Sequence, residues 1–315
     1  MIADTELKET HKKEACRFCG SEESSVLLSA PDRFHAEKTP YTLLRCESCS
    51  LVWLHEPPPP DQIGKHYGPD YDRMIAAGGV DTSHWLLKKD VVLRHRSGGS
   101  LLDLGCSAGG FLESMKGSWW KLHGIEMSAE VAKKAEEKTG AKIFVGDILD
   151  APFAPESFDA ITCFHVFEHL YEPLEVMRKV ASWLKPGGIF YVIVPNIDSA
   201  GARIFGSYWY ALELPRHLYH FSPNSLRNGA NLSGLVPLSI NTDREVFIEY
   251  SSRYVLDEVS GRLGVERVSL AKAKSPGVPF RAVRKAFRMT VLPVLNRLAS
   301  FAGDGESIHA VFGKT

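Results

Sequence analysis

From Ser100 onward short apolar runs alternate with amphipathic stretches, a rhythm that predicts strands alternating with helices and therefore βαβ units around a parallel sheet. Strands are predicted over 100–104, 121–126, 142–145, 158–164 and 188–194, with helices near 110–115, 129–139 and 173–184. The turn Lys185-Pro186-Gly187-Gly188 stops the last helix before its strand. A sixth strand is expected near 237–242 and a seventh over 307–313. The N-terminal part lacks this rhythm: it is short, polar and proline-punctuated, with too few apolar residues to predict a core of its own. Four prolines, Pro57 to Pro60, read as a stiff polyproline II spacer. The pattern predicts a small module over 1–56, a spacer and entry segment over 57–99, and an α/β domain over 100–315 with a basic helical insertion at about 250–300.

Cysteine spacing identifies the small module. Cys16-Arg-Phe-Cys19 and Cys46-Glu-Ser-Cys49 are two C-x-x-C pairs with 26 residues between them. Each pair makes a tight turn that aims two sulfurs at one point, and two such turns supply the four ligands of a tetrahedral structural zinc. A metal tying the knuckles together offsets the missing core. Four cysteines leave no open coordination position, so catalytic zinc is not expected here. Cys106 and Cys163 stand alone beside apolar segments and read as small buried hydrophobes.

Composition narrows the class. The 315 residues are 44% hydrophobic, which excludes wholesale disorder, and a net charge of −1 argues against a protein built to hold nucleic acid. The polar start MIADTELKETHKKEACR is no secretory signal, and the apolar run Ile189–Val194 falls far short of the roughly 20 residues of a membrane span. A cytoplasmic enzyme is the expectation.

The chemistry begins at Leu101-Leu102-Asp103-Leu104-Gly105-Cys106-Ser107-Ala108-Gly109-Gly110, an apolar strand entering a glycine-rich turn and then a helix. Glycines 105 and 109 let the backbone pass close to a ligand. Ser107 stands where a dinucleotide fingerprint has its second glycine, which weakens a pyrophosphate reading. Glu126 ends the next strand, where an acid can accept both ribose hydroxyls of a nucleoside, and Asp147 ends the third, where it can accept from an exocyclic amine. These three strand ends describe an adenosine pocket without a phosphate site.

Asp103 to Gly109 resembles motif I of the class I S-adenosylmethionine-dependent methyltransferases. Pro152-Phe-Ala-Pro-Glu-Ser-Phe-Asp159, Phe167-Glu168-His169-Leu170 and Leu184-Lys-Pro-Gly-Gly188 resemble that family's later motifs, in the family's order, so the likeness runs from Ser100 to Asn196. The resemblance implies a Rossmann-like seven-stranded, mostly parallel sheet with its last strand antiparallel. It implies S-adenosylmethionine as cofactor, held by Asp103, Gly105, Cys106, Ser107, Gly109, Glu126, Met127, Asp147, Ile148 and Phe164. Tyr67 and Tyr71 resemble the tyrosine-bearing entry segment that folds over the cofactor's methionine end. The same turn also satisfies G-x-S-x-G, the nucleophile elbow of α/β-hydrolases, but no α/β framework precedes it.

Methyl transfer to a hydroxyl or carbon requires a base, and His165, His169, His217 and His220 are the candidates near the site. His165, Glu168 and His169 stand at i, i+3 and i+4, one face of a helical turn. The resemblance offers two readings of that spacing: a structural turn, which is favoured, or the divalent-metal position of O-methyltransferases with a related ExxEH pattern, from which His165 departs. Trp209 to Ser222, with PRH at 215–217, resembles an acceptor-side stretch of small-molecule members, implying Tyr210, Arg216 and His220 as substrate contacts and His217 as base.

Between Arg262 and Arg297 stand nine Lys+Arg (262, 267, 272, 274, 281, 284, 285, 288, 297) and one acid, Glu266. A solvated helical face is the ordinary reading, and peripheral contact with an anionic membrane is the functional alternative. Three functions are therefore in view. A small-molecule methyltransferase, with a metabolite, sugar or lipid-linked acceptor that can be anionic, leads. An RNA methyltransferase gripping RNA through the zinc module is weakened by the seven basic and ten acidic residues of positions 1–60. A non-catalytic zinc-binding adaptor needs no intact cofactor pocket.

Overall fold

Strands flanked by helices on both sides bury both faces and read as nearly continuous apolar runs, and Ile189–Val194 is such a run. In the computed structural model, which describes residues 14–35, 38–68, 82–117, 119–262, 289–290 and 305–315, that run lies in the middle of a seven-stranded sheet. The strands in chain order are β4 (Gly98–Leu104), β5 (Trp119–Glu126), β6 (Lys142–Val145), β7 (Phe158–Phe164), β8 (Leu184–Pro195), β10 (Leu235–Asp243) and β11 (Ser307–Lys314). Their spatial order is β10-β11-β8-β7-β4-β5-β6, and β11 runs antiparallel to both its neighbours. The remaining pairings, β4 with β5 and β7, β5 with β6, and β7 with β8, are parallel.

Seven strands thus lie where the hydrophobic pattern predicts them, with one instructive difference. β8 starts at Leu184, which pairs with Phe158, and the next register pair joins Ile189 to Ala160. The Lys-Pro-Gly-Gly turn is a bulge inside the strand, made possible by Gly187 at φ +74°.

Helices cover both faces. α1 (Thr82–His95), α2 (Gly110–Ser114) and α3 (Ala129–Thr139) share a core with one face through Val92, Phe111, Ala135 and Tyr191. α4 (Pro173–Trp183) and α6 (Pro223–Leu232) pack on the other through Val180, Trp183, Leu226 and Ala230. Local chemistry sets the helix ends. Ser128 caps α3 and Gly140 closes it at φ +73°; Pro173 and Pro223 occupy first turns, and Ser222 with Ser225 forms a capping box. α5 (Ala200–Phe205) and α7 (Phe247–Arg262) complete the described helices. Among the described residues no helix is long and apolar enough to cross a membrane.

The N-terminal part, expected to lack a core of its own, buries its apolar residues in a core shared with the large sheet. β1 (Ser24–Pro31), β2 (Pro40–Cys46) and β3 (Val52–Leu54) form an antiparallel sheet whose fourth strand is β9 (Tyr219–His220). Leu43, Leu44, Leu51, Val52, Trp53 and Leu54 are buried in the same cluster as Phe221, Leu226 and Phe312. The module does have too few apolar residues to stand alone; it completes its core by sharing that of the large sheet. The basic stretch, from 263 to 288 and 291 to 297, lies outside the described residues.

Candidate active site

Ligands in open α/β sheets bind beyond the carboxyl ends of the strands, where the strand order reverses. Here the reversal falls at β4, whose neighbours are β5 and β7. The turn after β4 carries Gly105 at φ +66°, Ser107 at φ +48° and Gly109 at φ +75°. A Cβ at Gly105 would stand 2.5 Å from Val166 Cγ2, so the turn is closed to any larger residue. Glu126, at the end of β5, is held against this turn: its carboxylate accepts the Ser107 N–H at 3.1 Å and the Ser128 N–H at 2.9 Å. Asp147 follows β6 and caps the next 3-10 turn by accepting the Leu149 N–H at 2.7 Å. Ile148 beside it is buried and Met127 is exposed. Three strand ends thus bring the glycine turn and two carboxylates to one crevice.

Asp103 is buried beneath the turn, where it accepts the Thr162 hydroxyl at 2.7 Å, and burial pushes its carboxyl up to about 7. Phe164 closes the end of β7, edge-on to Phe111 with ring centres 4.9 Å apart. Cys106 and Cys163 are buried and burial raises both thiols, the environment of structural cysteines. Lys88 on α1 escaped the sequence reading. It is buried, with Nζ 4.5 Å over the Trp85 ring and 4.7 Å over that of Phe164, and burial lowers it to about 8 despite Glu245 and Asp103. A lysine within an amphipathic helix carries no local signal of burial.

The segment after β7 departs from the expected helical face. Phe167–His169 is a single 3-10 turn, and His165 precedes it at φ +54°, outside any helix. His165 Nδ1 still comes within 3.6 Å of Glu168 Oε1. The third member of the group comes from far along the chain: ligand atoms of Glu168, His169 and His217 all lie within 4.8 Å of one another. The Leu218 N–H donates to the Glu168 carbonyl at 2.8 Å, and the Leu54 N–H donates to the Leu218 carbonyl at 2.8 Å, so N-terminal sheet, PRH segment and β7 end are tied at one point. Tyr67 completes the group, its hydroxyl 2.9 Å from His169 Nδ1. Tyr71 lies outside the described residues.

Burial dominates the electrostatics of this cluster. It lowers His165 and His220 to about 4, lowers His169, and takes His217 well below the ordinary histidine value. The imidazoles are neutral at physiological pH. Burial also lifts Glu168 to about 7, and neither carboxylate oxygen has a hydrogen-bond partner among the described residues.

Arg216 is fully enclosed. Its guanidinium reaches Asp32 Oδ2 at 3.5 Å, Glu213 Oε2 at 3.5 Å and the His66 carbonyl at 3.2 Å, and lies 4.9 Å over the Phe34 ring. Asp32 was not read from the sequence, although Pro-Asp-Arg-Phe is an Asx-turn pattern; its Oδ1 accepts the Phe34 and His35 N–H groups at 2.9 and 3.1 Å. A cleft beside this ion pair is lined by Arg33, Phe34, Tyr210, Glu213 and Tyr254. Tyr210 stacks on Tyr250 and Tyr254, with centres 4.7 and 6.0 Å apart. His220 is buried and donates from Nε2 to the Leu212 carbonyl at 3.1 Å.

At the other end of the N-terminal sheet the four cysteines converge, all Sγ atoms lying within 4.8 Å of one another. Cys16 and Cys49 are 3.4 Å apart, and Cys19 and Cys46 3.5 Å. Sulfurs around a tetrahedral zinc with 2.3 Å bonds are about 3.8 Å apart, so the cage matches that ion in size. The Phe18 and Cys49 N–H groups point at Cys16 and Cys46 Sγ, both at 3.4 Å, as donors that stabilise thiolates.

A seven-stranded sheet with this order and one antiparallel strand, a glycine turn after its central strand and acids at the next two strand ends define a class I S-adenosylmethionine-dependent methyltransferase. The family model for a methyltransferase domain matches residues 84–240, and the chain belongs to that family. That membership sets the hydrolase elbow aside. Among curated relatives, a ubiquinone biosynthesis O-methyltransferase of Xanthomonas campestris pv. campestris is 32% identical over 132 residues, covering 39% of this chain and 55% of its own. The enzyme of the same name from Aliivibrio fischeri is 35% identical over 118 residues, covering 35% and 50%. The chain thus spans about half the length of the curated relatives it matches. A solved S-adenosylmethionine-dependent methyltransferase of Thermotoga maritima shares the fold, with a TM-score of 0.51, 16% identity and coverage of 80% of this chain and 99% of that one.

Proposed function

We propose that the protein transfers the methyl group of S-adenosylmethionine to an oxygen or carbon of a small-molecule acceptor, in the cytoplasm. The observation that carries this reading is the meeting of the glycine turn, Glu126 and Asp147 at one end of the sheet, with the His165–His169 turn against Gly105 through Val166 and the His169 and His217 rings edge-to-face. Glu126 would take the ribose hydroxyls, Asp147 the adenine amine, and Asp103, Cys106, Ser107, Met127, Ile148 and Phe164 would line the cofactor. Tyr67, with Tyr71, would close over its methionine end. Names of the relatives, O-methyltransferases of ubiquinone biosynthesis, favour a hydroxyl acceptor.

Displacement at a sulfonium needs no general acid, so the chain has two tasks: to align the acceptor and to take its proton. Neutral imidazoles of His165, His169 and His217 suit the second. For the first, the stretch from Tyr210 to His220 would supply the acceptor side, with Arg216 bracing its wall and His220 the strand behind it. The cysteine cage would hold one structural zinc, making residues 1–56 a metal-stapled wall of the acceptor side, joined through 57–99 to the catalytic domain at 100–315. Thiolate ligands of this kind persist in a reducing compartment.

Calorimetric binding of S-adenosylhomocysteine tests the cofactor half of the reading. Micromolar binding is expected, with complete loss in Gly105→Val, whose side chain must displace Val166. Turnover of labelled S-adenosylmethionine with fractionated metabolites, but not with RNA, is expected for the acceptor half. Wild-type protein that does not bind S-adenosylhomocysteine overturns the proposal.

A further inference from the structure

Lys88 is a cation held out of water with no counter-ion in contact. The residue is 3% exposed, and among the described residues its ammonium has neither a hydrogen-bond acceptor nor an ion-pair partner. The Trp85 and Phe164 rings, 4.5 and 4.7 Å away, return only part of the lost hydration. The two acids that face it are engaged elsewhere: Asp103 accepts the Thr162 hydroxyl at 2.7 Å, and Glu245 accepts that of Ser307 at 3.3 Å. A buried ammonium so placed is stabilised when an anion enters beside it.

Its place in the fold is on the acceptor side of the crevice. α1 lies against the glycine turn, where a Cβ at Gly110 would stand 3.0 Å from Trp85 Nε1. Phe164 ends β7, and the next residue, His165, donates its N–H to the Ile193 carbonyl at 2.9 Å. His309 of β11 is the register partner of the same Ile193, so the two histidines flank one residue of β8. β8 and β11 lie on the far side of β4 from β5 and β6, whose ends carry Glu126 and Asp147. Tyr191 orients the His309 ring, its hydroxyl 2.8 Å from Nδ1, and leaves Nε2 without a partner among the described residues. Burial, joined by the Lys88 charge, lowers both imidazoles to about 4. As neutral rings they each offer one N–H.

Resting on the methyltransferase reading, we propose that Lys88 anchors the acid group, a carboxylate or phosphate, of an anionic acceptor, with His165 and His309 as further donors. Arg216, the cation that the sequence points to, is occupied by Asp32, Glu213 and the His66 carbonyl. An acceptor that lacks the acid group leaves Lys88 buried and unpaired, so it loses more than the contact itself.

Benzoate and benzyl alcohol differ in that acid group, and each is titrated into the full-length protein saturated with S-adenosylhomocysteine. Benzoate is expected to bind at least about tenfold more tightly than the alcohol. Lys88→Met, apolar and close in volume, is expected to abolish that preference, and Lys88→Arg to retain it. S-adenosylhomocysteine and methylthioadenosine, which lacks the cofactor's amino-acid end, are titrated into the wild type and Lys88→Met. Their affinity ratio is expected to be the same in both, and retained methylthioadenosine binding reports that the fold survives. Loss of S-adenosylhomocysteine binding alone in Lys88→Met assigns the ammonium to the cofactor's own carboxylate and overturns the acceptor site. A benzoate preference that survives Lys88→Met overturns it as well. Wild type that binds S-adenosylhomocysteine but no benzoate at millimolar concentration, or binds benzoate and the alcohol equally, also overturns it and leaves the methyltransferase reading standing.

Discussion

The carbonyl of Glu168 accepts the N–H of Leu218 at 2.8 Å, and this one bond sets His217 against His169. Leu218 in turn accepts from Leu54, so the position of the site's third polar group is coupled to the N-terminal sheet. The cysteine cage and the candidate active site are joined through one strand network, with β3 pairing Val52 to His220 and Trp53 to Tyr219.

His217 is buried with its Nδ1 bonded to the Ala211 carbonyl rather than to any part of the glycine turn. His217→Asn preserves the Nδ1-side geometry and removes Nε2. Steady-state turnover is expected to fall by about 100-fold or more while S-adenosylhomocysteine affinity is unchanged, the scale of a lost base. Equal losses in both would make His217 purely structural.

Cys46 is buried at the end of β2 and accepts the Cys49 N–H. Cys46→Ser removes one thiolate from the cage. Elemental analysis is expected to show the cage zinc lost, and thermal unfolding to begin more than about 5 °C lower, because metal binding here is folding free energy. A variant that melts like the wild type would show that the shared apolar core suffices without metal.

Gly229 lies inside α6, where alanine ordinarily adds about 1 kcal/mol of helix stability. Here its Cβ would stand 2.6 Å from Phe18 Cε2 and 3.0 Å from Met177 Sδ. Phe18 is a buried ring between the cysteine knuckle and Phe221, so it has little room to retreat. Overpacking of about 1–3 kcal/mol is expected to outweigh the helical gain, so Gly229→Ala lowers stability in urea unfolding. A stabilised variant would mean that the knuckle yields freely.

Glu306 immediately precedes the last strand, buried, with Oε2 accepting the Ile248 N–H at the start of α7. Burial lifts its carboxyl from 4.5 to about 7. Between those values the folded chain holds a proton that the unfolded chain has released, so this group's contribution is present below 4.5 and lost as pH rises through 7. Glu306→Gln removes the titration. The wild type is expected to lose about 5 °C of melting temperature more than the variant between pH 5 and pH 8. Parallel melting profiles would show that the carboxyl is ionised throughout.

Much of the site was legible because its signals are local. A glycine at φ +66° between an apolar strand and a helix, acids at the next two strand ends, and paired C-x-x-C knuckles each depend on spacing within a few residues. Such spacing survives in the one-dimensional pattern because the backbone turn that requires it is itself local. The failures were non-local. His165, Glu168 and His169 have helical spacing, but the chain makes only a 3-10 turn there, and Glu168 faces His217 instead.

The amino-acid sequence by itself determined the alternation of strands and helices, the glycine turn with acids at the next two strand ends, and the cysteine cage, since each follows from periodicity or from turn chemistry. Tertiary structure alone decided that the N-terminal sheet takes its fourth strand from Tyr219–His220 and that Arg216 pairs with Asp32, 184 positions away. It also decided that His217 joins Glu168 and His169. A two-residue strand has no period to read, and a buried ion pair is recognisable only when burial brings its partners together.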